Sequence, residues 1–590
     1  MDVEATRVRD QLRQAVDECS ARGLAFAAKW AAEQLCSLSA DDSPTKPPIP
    51  PTTDPAPASD KQQLWARRDA DERDRVSLAK CLFDLREFDR VAFTLQECVG
   101  PRALFLRLYA QYLSRERRAG ESALSGKDTD NVAVVSADDS ERRRVAGEAD
   151  RALLAIRDEL ETLDGAQDAD AFLLYLLAMA HDALGQRAQA RAVLLRSVGQ
   201  YAYNWSAWQL LETCVDAREP VERLGAGLAH GWMRHAFLAQ ALVEQMGSDT
   251  GHGFAAHVRV LEQLLPNSPF VLRLRALRHY SLREFDEAAQ TFAQLQRRDP
   301  YALELSDILS NILYVLEDRA RLGELARRCA ALDRFRPETC CVIGNYYSLR
   351  REHEKAVGYF QRALQLDRRY LAAWTLMGHE FIEMKNTSAA VDAYRHAVDV
   401  DERDYRAWYG LGQTYEMLNM PHYACSYYAR AAALRPYDSR MWCALGSCHE
   451  ASGQRRAAID SFRRALLGSA ENEAMAVARL ARLHDDAGDR ARAAYYYQLL
   501  VEHAVKNGGL SEQAPANPPA ALHAGSQMDE LAAACLFLAS FEHDRGNTHT
   551  AQRYLAQIVD GASSAGVSQL RVDEATAMMR AMSPKDISAE

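Results

Sequence analysis

His379 and Glu380 stand side by side in the middle of this chain, an imidazole beside a carboxylate, two residue types able to move a proton or hold a metal ion. Either chemistry needs a third group. A helical zinc-protease site puts a second histidine four residues on, and that position is Glu383. The 16 histidines are scattered, and no phosphate-loop or nucleophile-elbow pattern is present. Among the 12 cysteines, Cys340 and Cys341 are adjacent and Cys443 and Cys448 are five apart, neither of which is the C-x2-C spacing of a zinc knuckle. These thiols read as small buried packing residues, so no metal, no cofactor and no catalytic centre is expected.

The elements that carry His379 and Glu380 explain them better than enzyme chemistry does. Gly344, Gly378, Gly412 and Gly446 recur at a step of 34 residues, and so do Ala356, Ala390, Ala424 and Ala458. Aromatic residues follow the same ruler at Phe360, Tyr394, Tyr428 and Phe462, as do Ala363, Ala397, Ala431 and Ala465, and Trp374, Trp408 and Trp442 add a fifth column. A period of 34 residues is that of tetratricopeptide repeats, paired antiparallel helices that bury their apolar faces only by stacking. The fold class is therefore an all-α tetratricopeptide-repeat (TPR) superhelical solenoid. Weaker copies extend it backward through Ser310 and Leu322, Ala276 and Ala288, Leu242 and Phe254, Ala178 and Ala190, and Ala79 and Val91. Forward, a one-residue shift brings Leu480, His484, Gly488, Ala493 and Tyr497 into register, followed by a degenerate unit through Ala539, Gly546, Ala551 and Leu555.

A chain of 590 residues would divide into several globular domains, but a solenoid grows by stacking, so length here provides surface. The net charge of −11 argues against a nucleic-acid scaffold or a polybasic membrane surface. No apolar stretch approaches the roughly 18 residues that span a bilayer, and the start is too charged for a secretory signal, so a soluble intracellular protein is expected, without membrane or nucleic-acid partners.

Three segments interrupt the period. Residues 39–60 contain Pro44, Pro47, Pro48, Pro50, Pro51, Pro55 and Pro57 and read as an extended linker after a helical hairpin at 1–38. A polar stretch near 117–144 reads as an insertion inside the degenerate repeats of 61–234, and a Gly- and Pro-bearing stretch near 506–527 as a loop inside the array of 235–566. Residues 567–590 are left as a tail. Ser43 in the linker and Ser583 in the tail each precede proline, so both are candidate phosphosites for a proline-directed kinase.

Individual segments carry a narrower resemblance. Pro337 to Arg350 (PETCCVIGNYYSLR), Trp374 to Glu380 (WTLMGHE), Glu383 to Ala390 (EMKNTSAA) and Asp404 to Tyr415 (DYRAWYGLGQTY) resemble subunit eight of the anaphase-promoting complex. So do Cys19 to Leu24 (CSARGL), Lys29 to Glu33 (KWAAE) and Phe105 to Leu113 (FLRLYAQYL). The resemblance implies a non-catalytic scaffold of a multisubunit ubiquitin ligase acting in mitosis, in the nucleus and cytoplasm, with cullin, RING and ubiquitin transfer on other subunits. It further implies a homodimer formed through the amino-terminal repeats, stacking with other TPR subunits, and a groove that receives the C-box of a coactivator.

Helix geometry proposes which residues face that groove. With 371 as the start of a unit, positions 2, 5, 9 and 12 or 13 of the first helix fall on one stripe. Across the regular repeats the stripe includes Asn345, Thr375, His379, Glu383, Arg406, Tyr409, Gln413, Glu416, Arg440 and Glu450, with Glu380 one position further round. Two other readings remain open on residues alone. A chaperone adaptor would need a carboxylate clamp, of which only Asn345 is in place, while Glu380, Glu383, Glu416 and Glu450 would repel an anionic tail and attract arginine. A glycosyltransferase with a TPR domain would need a catalytic domain for which the chain has no room.

Overall fold

The computed structural model describes residues 2–38, 60–124, 139–165, 169–215, 228, 231–244, 252–467, 473–506, 518–561 and 569–582. Their regular structure consists of helices alone, 29 of them, with no strand among the described residues. By contact the chain forms two units, residues 1–302 and 303–590. Each is built from antiparallel helix pairs of the kind the period requires.

In the second unit the regular pairs are Pro337–Leu349 with His353–Leu366, Leu371–Glu383 with Thr387–Val400, Tyr405–Met417 with Pro421–Leu434, and Ser439–Ala451 with Arg455–Ala465. Three of these eight helices start on a side-chain cap: Asn386, Asp404 and Asp438 accept from backbone N–H groups of the first turn that would otherwise be orphaned. The turn inside each pair is set by a left-handed residue, Glu317, Arg351, Lys385, Asn419 and Gly453 in succession, each 34 after the last. At Lys385 the amide of the next residue, Asn386, bonds back to the carbonyl of Phe381 at 2.8 Å, the six-to-one bond of a Schellman motif. Asp333, Asp367 and Asp401 close the turn between pairs by accepting from the backbone N–H two residues on, at 2.8 to 2.9 Å.

The glycine column has a steric cause. A Cβ on Gly378 would lie 2.6 Å from the ring of Tyr394, and one on Gly446 would lie 2.8 Å from Phe462. Gly344 and Gly412 stand in the same relation to Phe360 and Tyr428. The aromatic of each second helix thus occupies the space a side chain on its own first helix would need, and Ala356, Ala390, Ala424 and Ala458 are fully buried. The tryptophan column adds a peg to the carbonyl six residues earlier: Trp374 to Arg368 at 3.0 Å, Trp408 to Glu402 at 2.8 Å, Trp442 to Pro436 at 2.7 Å. Trp208 in the first unit makes the same bond to Ala202, at 2.7 Å.

The interruptions lie differently from their sequence outlines. Helix Pro101–Leu124 runs into the expected insertion and helix Asp139–Gly165 begins within it. Helix Pro518–Asp544 starts inside the expected loop, with proline tolerated at a helix's first turn because the missing N–H has no partner there. The tail contains helix Gln569–Met582, with Ala575 buried in the core of the last repeats. The Pro-rich linker lies outside the described residues apart from Asp60, which opens helix Asp60–Asp71.

The amino-terminal hairpin, Asp2–Ala21 and Ala25–Ser37, shares one core with helices of the first unit far from it in sequence. Trp30 stacks on Trp205 at 4.4 Å and meets Phe270 edge-on at 5.5 Å.

Candidate partner-binding groove

The stripe residues come from the first helices of the pairs in the second unit, and the structure sorts them into two groups. His379, Glu383, Gln413 and Glu416 are exposed, and Arg406 and Tyr409 are half-buried. Asn345, Thr375 and Glu380 are buried. The Thr375 hydroxyl is spent within its own helix, on the carbonyl of Ala372 at 3.0 Å.

Asn345 and Glu380 belong to a polar ladder that ties successive first helices together. The Asn345 amide donates to Ser310 Oγ at 2.8 Å and to Asn311 Oδ1 at 2.7 Å. One turn on, Ser348 donates to Glu380 at 2.6 Å, and the other Glu380 oxygen lies 2.8 Å from Nδ1 of His353. Tyr370 closes a further rung by donating to Asp307 at 2.8 Å. Asn311, Ser348 and His353 were missed by the helical stripe, although they stand 34, 32 and 27 residues from the partners named here, near one repeat length. Polar residues spaced by about one repeat were the available signal, since equivalent positions on neighbouring first helices come into register.

Two tyrosines of the aromatic column reach the exposed stripe from behind. The Tyr394 hydroxyl lies 2.8 Å from His379 Nδ1, and the Tyr428 hydroxyl donates to Glu416 at 2.8 Å. Where the column carries Phe360 or Phe462 no such bond can form. Surrounding protein, and then the Arg406 guanidinium, push the His379 imidazole down to about 4, so it is neutral at pH 7 even though its edge reaches solvent. Tyr409 is raised by burial and packs 5.3 Å from Tyr428, offering a half-buried aromatic wall.

Charge in the groove is partly committed. Glu450 pairs with Arg479 at 3.6 Å, and Arg440 grips Asp438 through two nitrogens at 3.0 and 2.6 Å. Glu380 is buried behind the stripe, one carboxylate oxygen on Ser348 and the other on His353. The exposed surface thus combines the carboxylates of Glu383 and Glu416 with the Gln413 amide and the Tyr409 wall, a chemistry that favours cationic and apolar side chains.

Among the described residues no three His, Cys, Asp or Glu side chains come together as metal ligands. The described cysteines are free, and burial pushes the Cys443 thiol up to about 11 and the Cys448 thiol to about 12. No helix among the described residues is long and apolar enough to cross a membrane. Ser43 and Ser583 lie outside the described residues.

Comparison with known proteins places the chain among relatives. A family model described as anaphase promoting complex subunit 8 / Cdc23 matches residues 7–276, and a tetratricopeptide-repeat model matches 337–370, 371–404 and 439–467. Anaphase-promoting complex subunit 8 of Arabidopsis thaliana is 37% identical over 62% of this chain and 64% of its own length. The Dictyostelium discoideum protein of the same name is 33% identical over 63% of this chain and 67% of its own. Anaphase-promoting complex subunit CDC23 of Saccharomyces cerevisiae is 31% identical over 62% and 68%.

Proposed function

Since the chain belongs to the anaphase-promoting complex subunit 8 / Cdc23 family, we propose that it serves as a non-catalytic TPR scaffold of that ubiquitin ligase in mitosis, in nucleus and cytoplasm. The observation that carries this reading is the likeness to subunit 8 proteins across both units, joined to an architecture of stacked helix pairs that offers surface.

Two finer statements belong to the same proposal. The chain homodimerises through its amino-terminal repeats. Supporting this, the first repeats present large apolar side chains to solvent, with Leu78 55% and Phe93 79% exposed, where a monomer would favour polar ones. The groove of residues 337–438 receives the C-box of a coactivator, its arginine meeting Glu380, its backbone Asn345, and its apolar side chains Tyr409. Other TPR subunits of the complex stack on the remaining faces. Affinity purification from dividing cells tests the whole: other subunits of the anaphase-promoting complex should copurify, and recovery of chaperones in their place would replace this reading with a chaperone adaptor.

A further inference from the structure

One position in the turns between helix pairs reads Phe335, Arg369, Arg403 and Tyr437 in four successive repeats. Its backbone setting hardly changes. Asp333, Asp367 and Asp401 accept from the N–H groups of Phe335, Arg369 and Arg403 at 2.8, 2.9 and 2.9 Å. One residue further on, the amides of Tyr370, Asp404 and Asp438 bond back to the carbonyls of Asp367, Asp401 and Arg435 at 3.1, 3.3 and 3.2 Å. Equivalent turns on a repeating array set their side chains in one row along the direction of stacking.

The row is ordered as aromatic, arginine, arginine, aromatic. Phe335 is 69% exposed and Tyr437 50%, so a large ring stands in solvent at each end. Arg369 is exposed and Arg403 half-buried, and no ion pair or hydrogen bond holds either guanidinium among the described residues. Two more arginines gather beside them, Arg362 at 5.4 Å over the Phe335 ring and Arg435 at 4.8 Å over the Tyr405 ring. A guanidinium resting on an aromatic face keeps its N–H edge for a ligand.

The acidic side chains of these turns are mostly committed. Asp333, Asp367 and Asp401 accept from the turn amides, and Asp404 and Asp438 cap the helices that follow, which leaves Glu402 exposed beside Arg403. A chain of net charge −11 therefore shows an arginine-rich edge here. The exposed stripe of the first helices has the opposite sign, with Glu383 and Glu416. Charge sorts ligands between the two surfaces, cationic ones to the stripe and anionic ones to the turns.

We propose that the row from Phe335 to Tyr437 is a docking surface for an extended acidic segment of a partner protein, its carboxylates on Arg369 and Arg403 and its apolar side chains on Phe335 and Tyr437. Arginine takes a carboxylate through two parallel N–H bonds, and an aromatic anchor at each end fixes where the segment starts and stops. The surface needs only the repeat array, and it stands whether or not the 337–438 groove receives a C-box.

The test uses the full chain and a fluorescent synthetic peptide of about 14 residues, which at ~3.3 Å per extended residue is long enough to cross several turns. The peptide alternates glutamate with glycine or serine and carries leucine at both ends. Anisotropy should show binding that weakens as salt rises. The double variant Arg369→Gln, Arg403→Gln should bind at least tenfold more weakly with an unchanged thermal melt, and a peptide with glutamine in place of every glutamate should lose at least as much. Replacing Phe335 and Tyr437 together by serine should also weaken binding. No measurable binding, native affinity in the arginine variant, or equal binding of the glutamine peptide would each overturn the proposal. A thymidine oligonucleotide that bound as tightly as the acidic peptide would overturn it too, by making the edge a general polyanion surface.

Discussion

Glu380 and His353 meet across the junction of two consecutive repeats, carboxylate oxygen to Nδ1 at 2.8 Å. With Ser348 on the other oxygen at 2.6 Å, the carboxylate is fixed before any ligand arrives. Holding an acceptor in one rotamer removes part of the ordering cost of binding. It also changes which variant tests the groove, because Glu380 is only 5% exposed.

Glu380→Gln should keep the bond from Ser348 and lose the charge. An arginine-bearing C-box peptide should bind at least tenfold more weakly, which is about 1.4 kcal/mol, with the thermal melt unchanged. Glu380→Lys would place an ammonium against His353 in a buried site and should lose stability as well as binding. Titration calorimetry with parallel melts separates the two, and native affinity in the glutamine variant would move the site elsewhere.

Glycine substitutions should divide by their surroundings. At Gly378 a methyl would meet the Tyr394 ring at 2.6 Å, so Gly378→Ala should destabilise by about 1–3 kcal/mol through overpacking. At exposed Gly358, inside helix His353–Leu366 with nothing within 4 Å, Gly358→Ala should stabilise by about 0.5–1 kcal/mol through helix propensity. Urea midpoints of the two variants should therefore move in opposite directions.

The depressed His379 makes stability depend on pH in a definite sense. Its folded value of about 4 lies below the roughly 6.5 of an unfolded histidine, so between them the unfolded chain holds more protons. The contribution is fully present above about pH 6.5 and fades as pH falls toward 4. His379→Asn should flatten the difference in urea midpoint across that window. Its size will be modest, since the ring reaches solvent. Identical pH profiles for the two proteins would refute the assignment.

Dimerisation is best tested by a point change. The core of the first unit runs from Val8 to Leu274, so a fragment starting at residue 235 would begin inside a folded unit. Phe93→Asp alters an exposed side chain without opening that core. It should shift sedimentation at low micromolar concentration from dimer toward monomer, and an unaltered dimer would place the interface away from this patch.

The sequence alone determined the brick and its stacking, because glycine against aromatic and alanine in the seam are steric needs that recur wherever the backbone geometry recurs. Ala178, Ala276, Ala288, Leu322 and Ala551, located by the same ruler in weak repeats, are all buried, and Gly488 takes up the left-handed turn with the one-residue shift already visible in sequence. The turn column at Arg283, Glu317, Arg351, Lys385 and Asn419 was not legible, since tertiary packing holds ordinary side chains in a conformation that glycine would have advertised. The polar ladder was hidden for a related reason. A helical stripe shows that Asn345, Thr375 and Glu380 share a face, but the distance between neighbouring helices decides that they turn inward to Ser310, to their own helix and to His353. Nor could any local pattern reveal that Trp30 would find Trp205 across 175 residues of chain. That contact exists only once the repeats have built the face that receives it.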